Sequence, residues 1–180
     1  MMDFTEKTTQ KETIFEGKVV DLSVHDVTLP DGRSSKREVI NHSGAVAVVA
    51  VTPEQKIVMV KQYRKPLEKP LVEIPAGKLE GTDSPEETAA RELKEETGYT
   101  AGRLQKIASF YTSPGFADEI VHLYEAFDLE AGEPETEEDE FIELKEVSLK
   151  EADELIQREE IHDAKTMYAV QYVKTILDQR

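Results

Sequence analysis

Val20, Leu22 and Val24 alternate with Asp21 and Ser23, a period of two that marks a half-buried strand. Pro30-Asp31-Gly32 supplies a turn and Arg37 to Ile40 reads as the returning strand, so Gly17 to His42 is expected to form a hairpin. Residues 1–13 are polar and are expected to fray. From Ala45 to Val51 every position is apolar, as in a buried strand. Thr52-Pro53-Glu54-Gln55 turns the chain back, and Ile57 to Tyr63 follows as the expected partner strand. Leu71 to Ile74 is a further short strand, cut off by Pro75.

A helix is predicted over Pro85 to Thr97. Ser84 is its N-cap, Pro85 its first residue, Glu87 completes a capping box, and Gly98 supplies the left-handed residue at its end. Gln105 to Tyr111 and Glu119 to Phe127 read as strands around Thr112-Ser113-Pro114-Gly115, and an acidic run from Glu130 to Glu140 precedes a strand at Phe141 to Val147. Two helices close the chain, near Lys150 to Arg158 and from Ala164 to Leu177. Asp163 caps the second, with Met167, Val170, Val173 and Ile176 or Leu177 as its apolar stripe. Many strands with a few helices between them predict a mixed-sheet α/β or α+β fold. Residues 1–43 are expected to form a small N-terminal β subdomain and residues 44–180 the main domain.

Composition narrows the function classes. The 180 residues include 22 Lys and Arg against 38 Asp and Glu, a formal net charge of −16. That balance argues against a nucleic-acid partner, whose phosphate backbone calls for a basic face. An anionic substrate would need a cation bound with it. The absence of Cys removes disulfides, Cys-ligated zinc, a thiolate nucleophile and iron–sulfur clusters. No signal-peptide pattern opens the chain, and Ala45 to Val51, the longest apolar stretch, is too short to span a bilayer. The expected setting is the cytoplasm, with no membrane partner. His25, His42, His122 and His162 form no metal-spaced pair.

The candidate chemistry lies on the capped helix. At about 100° per residue, Glu92 and Glu96 stand about 40° apart, with Glu95 about 60° to the other side of Glu92. Ala90, Leu93 and Thr97 fall on an adjacent sector suited to the core. Like charges at this spacing destabilise a helix, and carboxylates near its C-terminal end oppose the dipole. Either this is a solvated acidic face, with Arg91 pairing to Glu95, or a divalent cation compensates the crowding. Oxygen ligands suit Mg²⁺ or Mn²⁺, with substrate phosphate oxygens completing the shell. The preceding Ile74-Pro75-Ala76-Gly77-Lys78-Leu79-Glu80-Gly81 favours the cation, since such a loop can bring a backbone carbonyl close to the face.

Gly77-x5-Asp83-x7-Arg91-Glu92-Leu93-x-Glu95-Glu96-x-Gly98-Tyr99 resembles the Nudix box. Asp83 stands where that family usually has Glu; it keeps the charge on a shorter side chain and is not counted among the ligands. The resemblance implies a Nudix-type α/β/α sandwich with a mixed sheet. It also implies Mg²⁺- or Mn²⁺-dependent hydrolysis of a nucleoside diphosphate linked to another moiety. Carried over residue by residue, it makes Glu92 and Glu96 the principal metal ligands and Glu95 an auxiliary one. The carbonyl of Ala76 would complete the set, and Arg91 would orient the carboxylates.

Pro114 follows Tyr99 by fifteen residues. With Gln62-Tyr63-Arg64, Glu73-Ile74-Pro75-Ala76-Gly77 and Glu138-Asp139-Glu140-Phe141-Ile142, it resembles the ADP-ribose pyrophosphatase branch. That resemblance implies cleavage of ADP-ribose to AMP and ribose 5-phosphate, by a homodimer that exchanges N-terminal strands. It places a general base in the late acidic loop, Glu138 first and Glu140 next, where the plain alternative is a solvated loop. Arg64, and secondarily Arg37, are the candidate phosphate clamps; Glu73 and Pro114 complete the substrate-binding set. Phe15, Tyr63 and Phe116 are open both to adenine stacking and to the core. Three rival readings stand beside this one. They are a Nudix hydrolase of a nucleotide sugar, dinucleoside polyphosphate or oxidised nucleotide, a non-catalytic nucleotide-sensing module, and an acidic scaffold.

Overall fold

The computed structural model of the chain describes residues 3–135 and 141–178. These form two compact units, one of residues up to Gly44 with Phe110–Ile120, the other of Ala45–Ser109 with the residues from Val121 onward.

In the first unit, β1 (Lys7–Glu16), β2 (Val20–Thr28) and β3 (Ser34–His42) form an antiparallel sheet in that order. The β2–β3 turn is closed by the Leu29 N–H on the Arg33 carbonyl at 2.8 Å. Gly32 adopts φ +87° there, a conformation that favours glycine. Much of the polar stretch expected to fray is therefore strand. Its ladder with β2 needs no apolar face, and all ten residues of β1 are exposed. The end of β3 is tied to the 110–120 segment. Ile40 N–H donates to the Phe116 carbonyl at 2.8 Å, and Asp118 accepts from the Asn41 side chain at 2.7 Å and from the His42 N–H at 2.8 Å.

In the second unit, β4 (Ala45–Ala50) lies between β7 (Ala76–Lys78), antiparallel, and β9 (Ile120–Glu130), parallel, with β8 (Thr100–Tyr111) beyond β9. Val46 to Ala50 have no exposed surface, the burial that a continuous apolar run in a central strand serves. A second, antiparallel sheet has the order β10 (Glu143–Val147), β5 (Ile57–Arg64), β6 (Lys69–Glu73). The expected β4–β5 ladder is thus replaced by a single bridge at Val51 and Ile57. The turn closed by the Thr52 N–H on the Lys56 carbonyl hands the chain from one sheet to the other.

α1 (Pro85–Thr97) packs on β4, with Ala89 and Leu93 among Val46, Val48, Ala50, Val58, Tyr124 and Ala126. Its capping box is formed as read from the sequence: Ser84 Oγ accepts the Glu87 N–H and Glu87 Oε2 accepts the Ser84 N–H. The buried sector comprises Thr88, Ala89, Leu93, Glu96 and Thr97, while Ala90 is exposed. The helix is turned from the expected setting, which brings Glu96 to the edge of the core. α2 (Leu149–Gln157) and α3 (Ala164–Asp178) follow. α3 buries Val170 and Val173 of the expected stripe, together with Thr166 and Ala169, while Met167 is only half-buried. The cause is polar: Asp163 Oδ1 accepts the Thr166 N–H, and Thr166 Oγ1 accepts the Ile74 N–H, each at 3.1 Å, which rolls the helix onto the end of β6. The architecture is a mixed sheet-and-helix sandwich. Among the described residues, no helix is long and apolar enough to cross a membrane.

Candidate active site

Consecutive strands β6 and β7 belong to different sheets, and Ile74 and Pro75 carry the chain between them. The Ile74 N–H is taken by Thr166, and the Pro75 carbonyl accepts the Val48 N–H at 2.9 Å. This crossing delivers Ala76 and Gly77 to α1. There Glu96 Oε2 accepts the Ala76 N–H at 3.0 Å. A Cβ placed on Gly77 would collide with the carboxyl carbon and both oxygens of Glu92. Glycine is therefore required at 77 for close approach: the Glu92 carboxylate fills the space that any other side chain would take.

Arg91 grips the same face. Its Nη2 lies 2.9 Å from Glu92 Oε1 and its Nη1 lies 2.7 Å from Glu95 Oε2. Burial opposes the Arg91 charge, but Glu92 and Glu95 outweigh it and raise its pKa. Three carboxylates thus stand on one face, two oriented by a guanidinium and one by a backbone N–H. The acidic run begins beside them. The Gly132 backbone lies against Gly98, Glu135 donates its N–H to the Glu95 carbonyl at 2.9 Å, and Lys94 pairs with Glu135 at 2.9 Å. Glu138 and Glu140 lie outside the described residues.

A second cluster forms where β5 and β6 meet α3. Arg64 donates Nε and Nη2 to Glu73 Oε1 and Oε2 at 2.8 and 2.7 Å. Lys165 joins Glu73 at Oε2 and pairs with Asp163 Oδ1 at 2.9 Å. The Glu73 side chain is 2% exposed. Burial pushes its carboxyl up, but the hydrogen bonds and charges of Arg64 and Lys165 together win and hold it at about 2. Arg64 is raised, by its bond to Glu73 first, with Glu96 and Asp163 adding to the effect against burial. Both predicted residues are thus brought together, with Glu73 turned onto Arg64. Lys165 is a residue that the pattern analysis does not reach. Its available signal is a lysine in the first turn of a helix, where the dipole disfavours a cation and a carboxylate partner must compensate.

Arg37 and Pro114 belong to the other unit. There Arg37 forks onto Glu6 at 2.8 and 2.6 Å and reaches Ser35 Oγ at 2.9 Å.

The NUDIX domain family model matches residues 41–170, a span that contains both clusters. The chain belongs to the Nudix family. It is 60% identical over 176 residues to the ADP-ribose pyrophosphatase of Bacillus subtilis (strain 168), covering 97% of this chain and 95% of that protein. It is 57% identical over 173 residues to the methanol dehydrogenase activator of Bacillus methanolicus, covering 95% and 94%. A solved structure of an ADP compounds hydrolase superposes with a TM-score of 0.84 at 20% identity, over 97% of this chain and 95% of that one, a likeness of fold.

Nudix hydrolases generally require a divalent cation. The donor chemistry suits one: the Glu92, Glu95 and Glu96 carboxylates are hard oxygen donors on one face of α1. Among the described residues, no three acidic or histidine side chains already stand as a cation cage. The carboxylates are instead held by Arg91 and the Ala76 N–H.

Proposed function

We propose that this Nudix chain hydrolyses the pyrophosphate bond of ADP-ribose to AMP and ribose 5-phosphate, with Mg²⁺ or Mn²⁺ bound. The observation that carries this reading is the Glu92 carboxylate seated over Gly77, beside Glu96 on the Ala76 N–H. The 60% identity to an ADP-ribose pyrophosphatase supports the choice of substrate. In this reading Glu92 and Glu96 are the principal ligands, with Glu95 and the Ala76 carbonyl auxiliary. The cation supplies neutralisation of phosphate oxygens and a lowered pKa for the attacking water. Arg91 keeps the carboxylates oriented. Arg64 offers a phosphate the Nη1 edge that its fork with Glu73 leaves over. Glu138, or Glu140 beside it, takes the proton from the attacking water.

The chain acts as a homodimer that exchanges N-terminal strands. The wholly exposed β1 and the exposed Phe4, Ile14, Phe15 and Val19 support this. A monomer in equilibrium sedimentation at micromolar concentration would overturn it.

Product analysis with ADP-ribose in ¹⁸O-water tests the reaction: AMP and ribose 5-phosphate should form, with the label in one of them. Negligible turnover of ADP-ribose, beside rapid turnover of a nucleotide sugar or dinucleoside polyphosphate, would move the assignment within the family. The 57% identity to a methanol dehydrogenase activator supports a second reading, in which the same hydrolytic site serves to activate an alcohol-oxidising partner. Faster alcohol oxidation when the chain and Mg²⁺ are added to methanol dehydrogenase would favour it; an unchanged rate would exclude it for that dehydrogenase.

A further inference from the structure

We infer that Lys165 is a positioning residue that keeps the charge of Arg64 available to a substrate phosphate, by balancing the two carboxylates that would otherwise neutralise it. The inference rests on the reading of Arg64 as a phosphate clamp. Two cations, Arg64 and Lys165, and two carboxylates, Glu73 and Asp163, share the cluster. Glu73 alone ties down one edge of Arg64, through Nε and Nη2. Lys165 bridges Glu73 to Asp163, so the second carboxylate is matched by a second cation rather than by the guanidinium.

The burial order agrees with these roles. The Glu73 side chain is 2% exposed and Lys165 15%, whereas Arg64 is 38% exposed and forms the open end of the chain of charges. Lys165 is thus an interior counter-charge and Arg64 the group that meets solvent. Asp163 Oδ2 is buried without a hydrogen-bond partner, so its charge acts on the cations of the cluster. Without Lys165, one guanidinium would face both Glu73 and Asp163, two negative charges against one positive. An anionic substrate would then meet a site of net negative sign.

Steady-state kinetics on the full chain, with thermal denaturation of each variant, tests this. Lys165→Met should raise KM for ADP-ribose about tenfold while kcat falls less than about threefold. Asp163→Asn keeps a capping side chain for α3 and tips the balance the other way, so its KM should fall. The double variant Lys165→Met/Asp163→Asn restores equal charge, and its KM should return to within about twofold of the parent chain. A role confined to packing would leave the double variant at least as impaired as Lys165→Met. That result, or an unchanged KM in Lys165→Met, overturns the inference. If Lys165→Met does not fold, an unchanged or raised KM in Asp163→Asn overturns it equally. Arg64→Ala separates the two levels of the argument. An unaltered KM there removes the clamp and this inference together, whereas a raised KM with an inert Lys165→Met removes this inference alone. If another nucleoside diphosphate derivative proves to be the substrate, the same series is read with it.

Discussion

A methyl group at position 77 has no space except that of the Glu92 carboxylate, which sits at the end of a flexible side chain. Gly77→Ala should therefore fold, with a Tm within a few degrees of the parent, yet lose turnover about hundredfold because Glu92 is displaced. Retained activity would refute the cradle. Glu96→Gln keeps an oxygen that can accept the Ala76 N–H, so the fold should persist while Mg²⁺-dependent turnover falls about hundredfold or more. Glu73 acts on stability through pH. Its folded pKa of about 2 lies below the ordinary carboxyl value of 4.5. Its contribution, about 3 kcal/mol, is complete above the ordinary value and lost as the pH falls toward 2. Acid denaturation should steepen in that window, and Glu73→Gln should both lower Tm at pH 7 and flatten the acid branch. An acid profile identical to the parent's would refute this.

Among the elements, α1 was legible almost to the residue, because Ser84, Glu87 and Gly98 are local signals whose geometry depends on few other parts of the chain. Its rotation was not. Ala89 rather than Ala90 faces the core because β4, far away in sequence, sets which sector is covered. The short β7 and the division of β4 and β5 between two sheets likewise depend on pairing across long sequence separations, which period-two patterning does not encode. The carboxylates of the box were readable as a set, whereas Lys165 enters the Arg64 cluster only through the docking of α3. Gly98 answers to two demands: φ is +75°, and a Cβ would run into the Gly132 backbone carbonyl. Gly98→Ala should cost at least about 1–2 kcal/mol from the left-handed conformation alone. It should also lower kcat more than it weakens Mg²⁺ activation, since it moves the start of the acidic run. Chemical denaturation and a Mg²⁺ titration of activity check both parts.

At the scale of the whole molecule, the charge of −16 is a self-repulsion that salt relieves. Raising NaCl from about 10 to 300 mM shortens the screening length from about 30 Å to under 10 Å, so the Tm should rise by a few degrees in the absence of divalent ions. A falling Tm would show that the attractive pairs outweigh the surplus. The membership of Phe110–Ile120 in the first unit is a feature of this scale that no local pattern announces. It follows from contacts such as Ile40 with Phe116 and Asp118 with His42.

The passage from β6 to β7 spans a gap that neither ladder can fill, and three successive residues meet it by three means. The Ile74 donor goes to a threonine of α3, Pro75 has no donor, and the Ala76 donor goes to Glu96. The last of these makes Glu96, a proposed metal ligand, also a structural partner of the crossing. Selection for a better carboxylate at position 96 is therefore never independent of how the two sheets are joined. Any drift in that joint is felt first at the chemistry.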